Sequence, residues 1–437
     1  MAGPRPHRCT PTLLAATLTW LCSSVVLAQA PASAEPAPTP PAPGSVSVRA
    51  TSEGISLHSA DNALLLKLRG YVQLDGRFFE SRADRPGATT LLIRRARPLL
   101  EGTLFSLFDF RLLVDFAANV PPLWDAYLEF RPRKEVRVRV GKFRPPVGLE
   151  RNQSGIHTLF IERALPTDLV PNRDVGVMVH GELVDGVVSY ALGAFNGTAD
   201  GASADTNLDD SFDLTARVFA HPFRALGLPS LSGLGLGIAA SRGSQFGSAS
   251  TTGEAPLRSM GQQTFFIFRT GNGLGETVVA HGPHVRWSPQ GYLYVGPLGA
   301  MAEYVSSTQE VNLGDQHARL RFESWQASAS YVLFGGKAAY DGVKPTAPFG
   351  ASAEGWGAVE LGARLSELRV DPDAFPVYAD PTRSARKAHG WGAVANWYLN
   401  NNVRVATTYD HTEYEGGAVE GARLPESVVM SRFQVSW

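Results

Sequence analysis

Arg95 and Arg97 stand two residues apart, and so do Arg137 and Arg139, with Ala96, Val136, Val138 and Val140 at the positions between and beside them. Arg111 is placed likewise, between Phe110 and Leu112. In an extended chain, residues two apart share a face, so each pair sets two guanidiniums side by side. A guanidinium is a planar, permanently charged fork that matches carboxylates and phosphates. Lining a narrow wet passage, it would replace part of an anion's hydration with charge-assisted hydrogen bonds, provided that binding stays weak enough for release. The bland counterpart is bracing. The same arginines could pair across strands with Asp75, Glu101, Asp109, Asp115, Asp125 and Glu129 and simply hold a wall together.

Other constellations carry less. His281 and His284 have metal-ligand spacing, but they sit in a strand–turn stretch without the helix that usually presents such a pair. Gly233, Gly235 and Gly237 imitate a nucleotide loop inside LGLGIAA, yet the fingerprint's last glycine and its helix are missing. No serine–histidine or carboxylate set is singled out by a local motif. The expectation is a protein that is not an enzyme and has no cofactor and no metal.

The arginines need elements to hold them, and the pattern is period two. In LKLRGYVQLDGRF, Leu66, Leu68, Gly70, Val72, Leu74, Gly76 and Phe78 form one face, and Lys67, Arg69, Tyr71, Gln73, Asp75 and Arg77 the other. The alternation returns at 108–116, 124–131, 136–141, 213–220 and 391–399. A soluble sandwich would turn lysine, glutamate and threonine to water. Here arginines face aspartates and glutamates on strand after strand, which fits a charged lumen inside a barrel whose outer face meets lipid.

The flanking sequence agrees. Arg5 and Arg8 precede an apolar run, Leu13 to Ala28, that reads as a signal peptide over residues 1–28, cut after Ala28. Both cysteines lie inside it. The mature chain then has 38 cations against 41 acids, a net charge of −3, which suggests no nucleic-acid partner. Only six of the cations are lysines. Residues 29–44 are an Ala/Pro spacer, and 45–65 a short N-terminal extension that could be a hairpin. The remainder, 66–437, suits a barrel of about 16 strands. Stretches at 197–211, 243–262, 306–319, 335–355 and 370–389 read as long surface loops alternating with short turns. Trp124, Trp287, Tyr292, Tyr304, Trp397 and Tyr409 read as interfacial girdles. The last strand, Val429–Trp437, carries a terminal aromatic of the kind that barrel-assembly machinery reads.

Several segments occur together in order: IRRARPLLEG (93–102), DAYLEF (125–130), VGKFRPPVGLER (140–151), FIERALPTDLVPNR (160–173) and GAFNG (193–197). Later come ASYVL (329–333), ELGAR (360–364) and NWYLN (396–400). In these the chain resembles the phosphate-selective porin O/P family from about Leu66 to Trp437. The resemblance implies an all-β transmembrane antiparallel barrel of about 16 strands, a homotrimer, and a third loop folded inward within Lys142–Asp174. It makes Lys142, Arg144, Arg151, Arg163 and Arg173 the loop candidates beside the wall arginines. The implied partners are outer-membrane lipid and small anions, phosphate among them. The implied location is the outer membrane of a Gram-negative-type bacterium. The acidic balance and mixed lumen keep open a general or organic-solute porin of the same fold, or a non-conducting structural or adhesive barrel.

Overall fold

The computed structural model describes residues 46–437 apart from 62, 81–86, 119, 225, 227, 229–230 and 351–352. The expected signal peptide and the Ala/Pro spacer lie outside the described residues. Two short strands come first, β1 (Val46–Thr51) and β2 (Gly54–Ser59). Then follow β3 (Leu65–Phe79), β4 (Thr90–Leu104), β5 (Phe108–Val114), β6 (Leu123–Arg133), β7 (Val136–Phe143) and β8 (Asp174–Leu183). β9 (Val188–Phe195), β10 (Asp213–Ala220) and β11 (Leu234–Phe246) continue the series. β12 (Leu257–Arg258) pairs with β13 (Thr264–Phe266) inside a long connection. The longest strands are β14 (Val279–Val295), β15 (Leu298–Leu313) and β16 (Gln316–Phe334). After the minor pair β17 (Phe349–Gly350) and β18 (Ala353–Glu354) come β19 (Ala358–Arg369), β20 (Ala385–Tyr398), β21 (Val403–Gly416) and β22 (Glu426–Ser436).

Leaving out β1, β2 and the two minor pairs, sixteen strands run antiparallel, each to the next. The ring closes where β22 returns to β3, from Val428 opposite Phe79 to Ser436 opposite Tyr71. Closure removes the free sheet edge, so the backbone donors and acceptors of the wall pair strand to strand around the ring, interrupted at a few bulges. Beyond the end of β22, the β1–β2 hairpin takes over the same side of β3, with Ile55 opposite Leu68 and His58 opposite Leu65.

The period-two pattern becomes an inside-out distribution. Leu74, Leu192, Leu365 and Phe433 face outward, each between 46 and 55% exposed, while Gln73, Asp75, Arg286 and Asp410 face inward and are buried. A sheet with apolar residues exposed and ions buried matches lipid outside and a polar lumen inside. The buried ions are paired. Arg432 holds Asp75 through two bonds of 2.7 Å, and Arg364 holds Asp410 at 2.7 Å.

Following the chain up and down the wall sorts its connections into two ends and corrects part of the loop reading. One end carries 144–173, 196–212, 247–278 and 370–384. Residues 243–246 and 385–389 belong to β11 and β20, and 306–319 is the top of β15 and β16 joined by two residues. Their Gly/Ser/Asp content had suggested loop, but an inward strand face tolerates polar residues, so composition did not separate the two. The segment 335–357 lies at the opposite end, among the short turns, and Tyr340 within it reaches the lumen.

The barrel interior is filled unevenly. Val305, Val311, Leu320, Phe322, Leu368 and Tyr414 project inward from the tall wall β15–β21. Met260, Phe265 and Phe266 of one loop, Tyr378 and Ala379 of another, and Leu165, Leu169 and Val170 of the 144–173 segment pack onto them. This dry core fills one side of the barrel at the loop end. Replacing outward Leu365 with arginine is expected to destabilise the barrel by about 2–4 kcal/mol in a bilayer, read from reversible urea unfolding in lipid. A neutral result would mean that this row does not face lipid.

Candidate functional site

The segment 144–173 crosses the interior because strands around the barrel hold it. Its single helical turn, α1 (Leu149–Asn152), begins where Leu149 N and Glu150 N donate to the Glu303 carboxylate at 2.6 and 3.2 Å. Gln326 Nε2 bridges Glu303 and Glu150, at 2.6 and 3.0 Å. Arg404 donates to the carbonyls of Thr158 and Leu159, Gln73 to that of Gly155, and Arg364 to that of Glu162. Arg94 clasps the Glu162 carboxylate with bonds of 2.5 and 3.1 Å, and Arg77 adds a third at 2.9 Å. From the opposite end Tyr340 donates its hydroxyl to Leu149 O and accepts from Gln153 Nε2 at its carbonyl.

Three cavities border this segment; one, lined by Ser154, Ile156 and His157 with Arg69, Arg111 and Arg404, lies towards β3 and β21, and the other two hold most of the arginines. The one on the loop side, about 360 Å³, is lined by Arg94, Arg95, Arg97, Arg144, Arg151, Arg163, Arg173 and Arg258, with Glu162, Asp168 and Asp200 as its acids. The one on the turn side, about 480 Å³, is lined by Arg111, Arg137, Arg139, Arg144, Arg173 and Arg217, with Asp125, Glu182 and Asp341. Arg144 and Arg173 belong to both walls and mark the junction.

Nine of the ten sequence candidates therefore line these two cavities, but in two electrostatic classes. Arg97 pairs with Asp115 at 2.7 Å, Arg139 with Glu129 at 2.6 Å, Arg173 with Asp125 at 3.1 Å, and Arg111 with Asp125 at 3.4 Å. Arg137 meets Glu182 only at 3.9 Å. For these, the bracing reading is the one the geometry favours. Arg95, Arg144, Arg151 and Arg163 have no carboxylate partner among the described residues. Their donors go to Gln73 Oε1 or to backbone carbonyls, and the Nε of Arg144 and of Arg151 is buried without an acceptor. Burial and then the neighbouring guanidiniums pull Arg144 well below its ordinary value, and Arg151 down to about 9. Burial likewise lowers Arg163. Burial pushes the Asp168 carboxyl up to about 6, against the Arg258 backbone N–H and the charge of Arg151.

Lys142 is a correction. It falls on the parity of Val138 and Val140, lines neither cavity, and places its ammonium on Asp205 of the 196–212 connection. Two of the girdle aromatics are corrected as well. Tyr292 turns inward and stacks on Tyr340, centroids 5.0 Å apart. Trp124 lines the loop-side cavity, because the pairing of β5 with β6 jumps from Leu113–Asp125 to Val114–Leu123 and leaves Trp124 as an extra residue. Arg94 is missing from the sequence candidates for the same reason. The register of β3 with β4 shifts between Gln73–Arg95 and Leu74–Ile93, so Arg94 is unpaired and turns in beside Arg95. Bulges re-aim side chains in this way. Two adjacent arginines inside an alternating strand were the available signal for the first; nothing comparable marked the second. His284 is buried against Ser307 Oγ at 2.8 Å while His281 is exposed, so the pair does not converge on a metal.

Residues 66–437 match the family described as phosphate-selective porin O and P. The chain belongs to that family. It is an outer-membrane porin, and the cavities just described lie in the lumen of its barrel. No curated protein sequence matches the porin. Its fold is similar to that of the outer membrane channel DcaP of Acinetobacter baumannii, at 10% identity and a TM-score of 0.56 over 86% of this chain and 98% of that one. An anion-selective porin from Comamonas acidovorans gives 10% identity and 0.54, over 86% and 100%. OmpT of Vibrio cholerae gives 10% and 0.53, over 86% and 98%.

If Glu303 anchors the inward segment, Glu303→Ala leaves two backbone donors without their charged acceptor, a cost of about 1–3 kcal/mol. Hydrogen exchange at Leu149 and Glu150 is expected to speed up accordingly, while the barrel strands stay protected. Unchanged protection of these amides would show that the anchor lies elsewhere.

Proposed function

We propose that the porin conducts small anions, phosphate among them, through the arginine-lined side of its lumen. The observation that carries this reading is the set Arg95, Arg144, Arg151 and Arg163, one buried and three half-buried guanidiniums with no carboxylate partner among the described residues. A wall needs paired ions; it has no use for unpaired ones, whose burial is costly unless a counter-charge arrives. A permeating anion is that counter-charge, and sharing it along successive guanidiniums from the loop-side cavity to the turn-side one keeps each stop shallow. The acids Glu162, Asp168 and Asp200 in the same wall moderate the field and favour release. On this reading the outward belt meets outer-membrane lipid, and Trp437, paired to Gly70 by backbone bonds in both directions, is the signal for barrel-assembly machinery. The assembled form is a homotrimer, in keeping with the trimer form in which OmpT of Vibrio cholerae was solved.

Refolded protein in a planar bilayer under a KCl gradient is expected to show a reversal potential of chloride preference. The double change Arg144→Ala with Arg151→Ala should bring that potential close to zero. Cation preference in the unaltered protein would leave a porin and remove the anion reading.

The pH dependence has a definite sign. Asp168 is ionised above about 6 and opposes the guanidiniums there, and it becomes neutral as pH falls through that value. The guanidiniums stay charged throughout. Chloride preference is therefore expected to grow from pH 7.5 to 5. Asp168→Asn should abolish this acid limb. An acid limb that survives in Asp168→Asn would assign it to another group.

A further inference from the structure

We propose that Trp124 donates its indole N–H to the permeating anion in the loop-side cavity, and that the ligand there is a tetrahedral oxyanion. The inference deepens the anion-porin reading and rests on it. Trp124 is the extra residue of the β5–β6 bulge, and its ring lines the cavity instead of facing lipid. The guanidiniums of Arg97 and Arg173 lie over that ring, 4.4 and 4.7 Å from its centroid. Its Nε1 is buried and finds no acceptor among the described residues. The two guanidiniums over the ring cannot supply one, since they only donate, and their own carboxylate partners, Asp115 and Asp125, are engaged by them. The donor is left for an acceptor from outside the chain, and the excess of arginines over acids in this cavity wall favours an anion for that place.

The Nε atoms of Arg144 and Arg151, in the wall of the same cavity, are buried without acceptors too. Three such donors come from two separate elements, β6 and the inward segment. An oxyanion such as phosphate presents oxygens in several directions at once and can accept from both elements, with each charge-assisted bond strengthened by the dry surroundings. The ring also has a positioning role, since it supports the two guanidiniums through cation–π contact. The test must separate donating from supporting.

Inorganic phosphate is the probe, added to the refolded full-length chain in KCl, with block of the single-channel current as the readout. Trp124→Phe keeps an aromatic ring under the guanidiniums and removes the N–H. It is expected to raise the half-blocking phosphate concentration about tenfold, the scale of one hydrogen bond to a charged group. Trp124→His restores a ring N–H and is expected to recover part of the block. Equal behaviour of the Phe and His variants, or block in Trp124→Phe at the wild-type concentration, overturns the proposal while leaving the anion pore intact. Absence of phosphate block in the wild type overturns the anion-pore reading itself. Should the variants fail to fold, the indole N–H resonance of Trp124 in the wild type decides: a phosphate-dependent downfield shift supports donation, and an unmoved resonance refutes it.

Discussion

Lipid outside the wall is the constraint from which the rest follows. It requires that every backbone polar group be paired within the sheet and that outward side chains be apolar. With the outer face closed to charge, the ionisable residues of the strands collect in the lumen, where they must be compensated by one another, by water or by a solute. Most compensate one another: Arg432 with Asp75, Arg364 with Asp410, and Arg286 with Asp200 and Asp213. Those pairs make the interior rigid rather than selective. On the proposed function, selectivity resides in what the pairing leaves over.

That surplus is local because the interior is lopsided. The long strands β14–β16 and their neighbours carry apolar side chains inward near the loop end, and three loops bury themselves there as a core resembling that of a soluble domain. The inward segment leans on this core through Leu165, Leu169 and Val170, and is held on its other side by Arg77 and Arg94 at Glu162. Its own arginines are thereby turned towards β4–β8, where wall arginines already stand. Guanidiniums from two elements meet at Arg144 and Arg173, and carboxylates are too few there to match them all.

The fold was legible in the sequence because alternation in a barrel reports directly on the two solvents, lipid and lumen. Arg95, Arg97, Arg137 and Arg139 could be placed inward by counting in twos. Counting failed wherever a bulge inserted a residue: Arg94 and Trp124 both changed sides without any change in residue type. For Lys142 counting would have served better than the resemblance, since β7 runs on to Phe143 and strand parity sends the ammonium to Asp205. Composition misled at 335–357, because a segment that enters the lumen from the turn end has the same glycines and small polar residues as a surface loop. The division of arginines into paired and unpaired was not readable at all. It depends on which acid lies across a strand boundary, and on register at the level of single hydrogen bonds.

On the proposed function, unpaired guanidiniums on one side of the lumen hold a passing anion. Crystals of the porin soaked in bromide, and separately in arsenate, would test it most directly through anomalous scattering. Peaks are expected in the loop-side cavity within hydrogen-bonding reach of Arg144 and Arg151. Peaks confined to the outer surface, or rubidium occupying that cavity in a parallel soak, would contradict it.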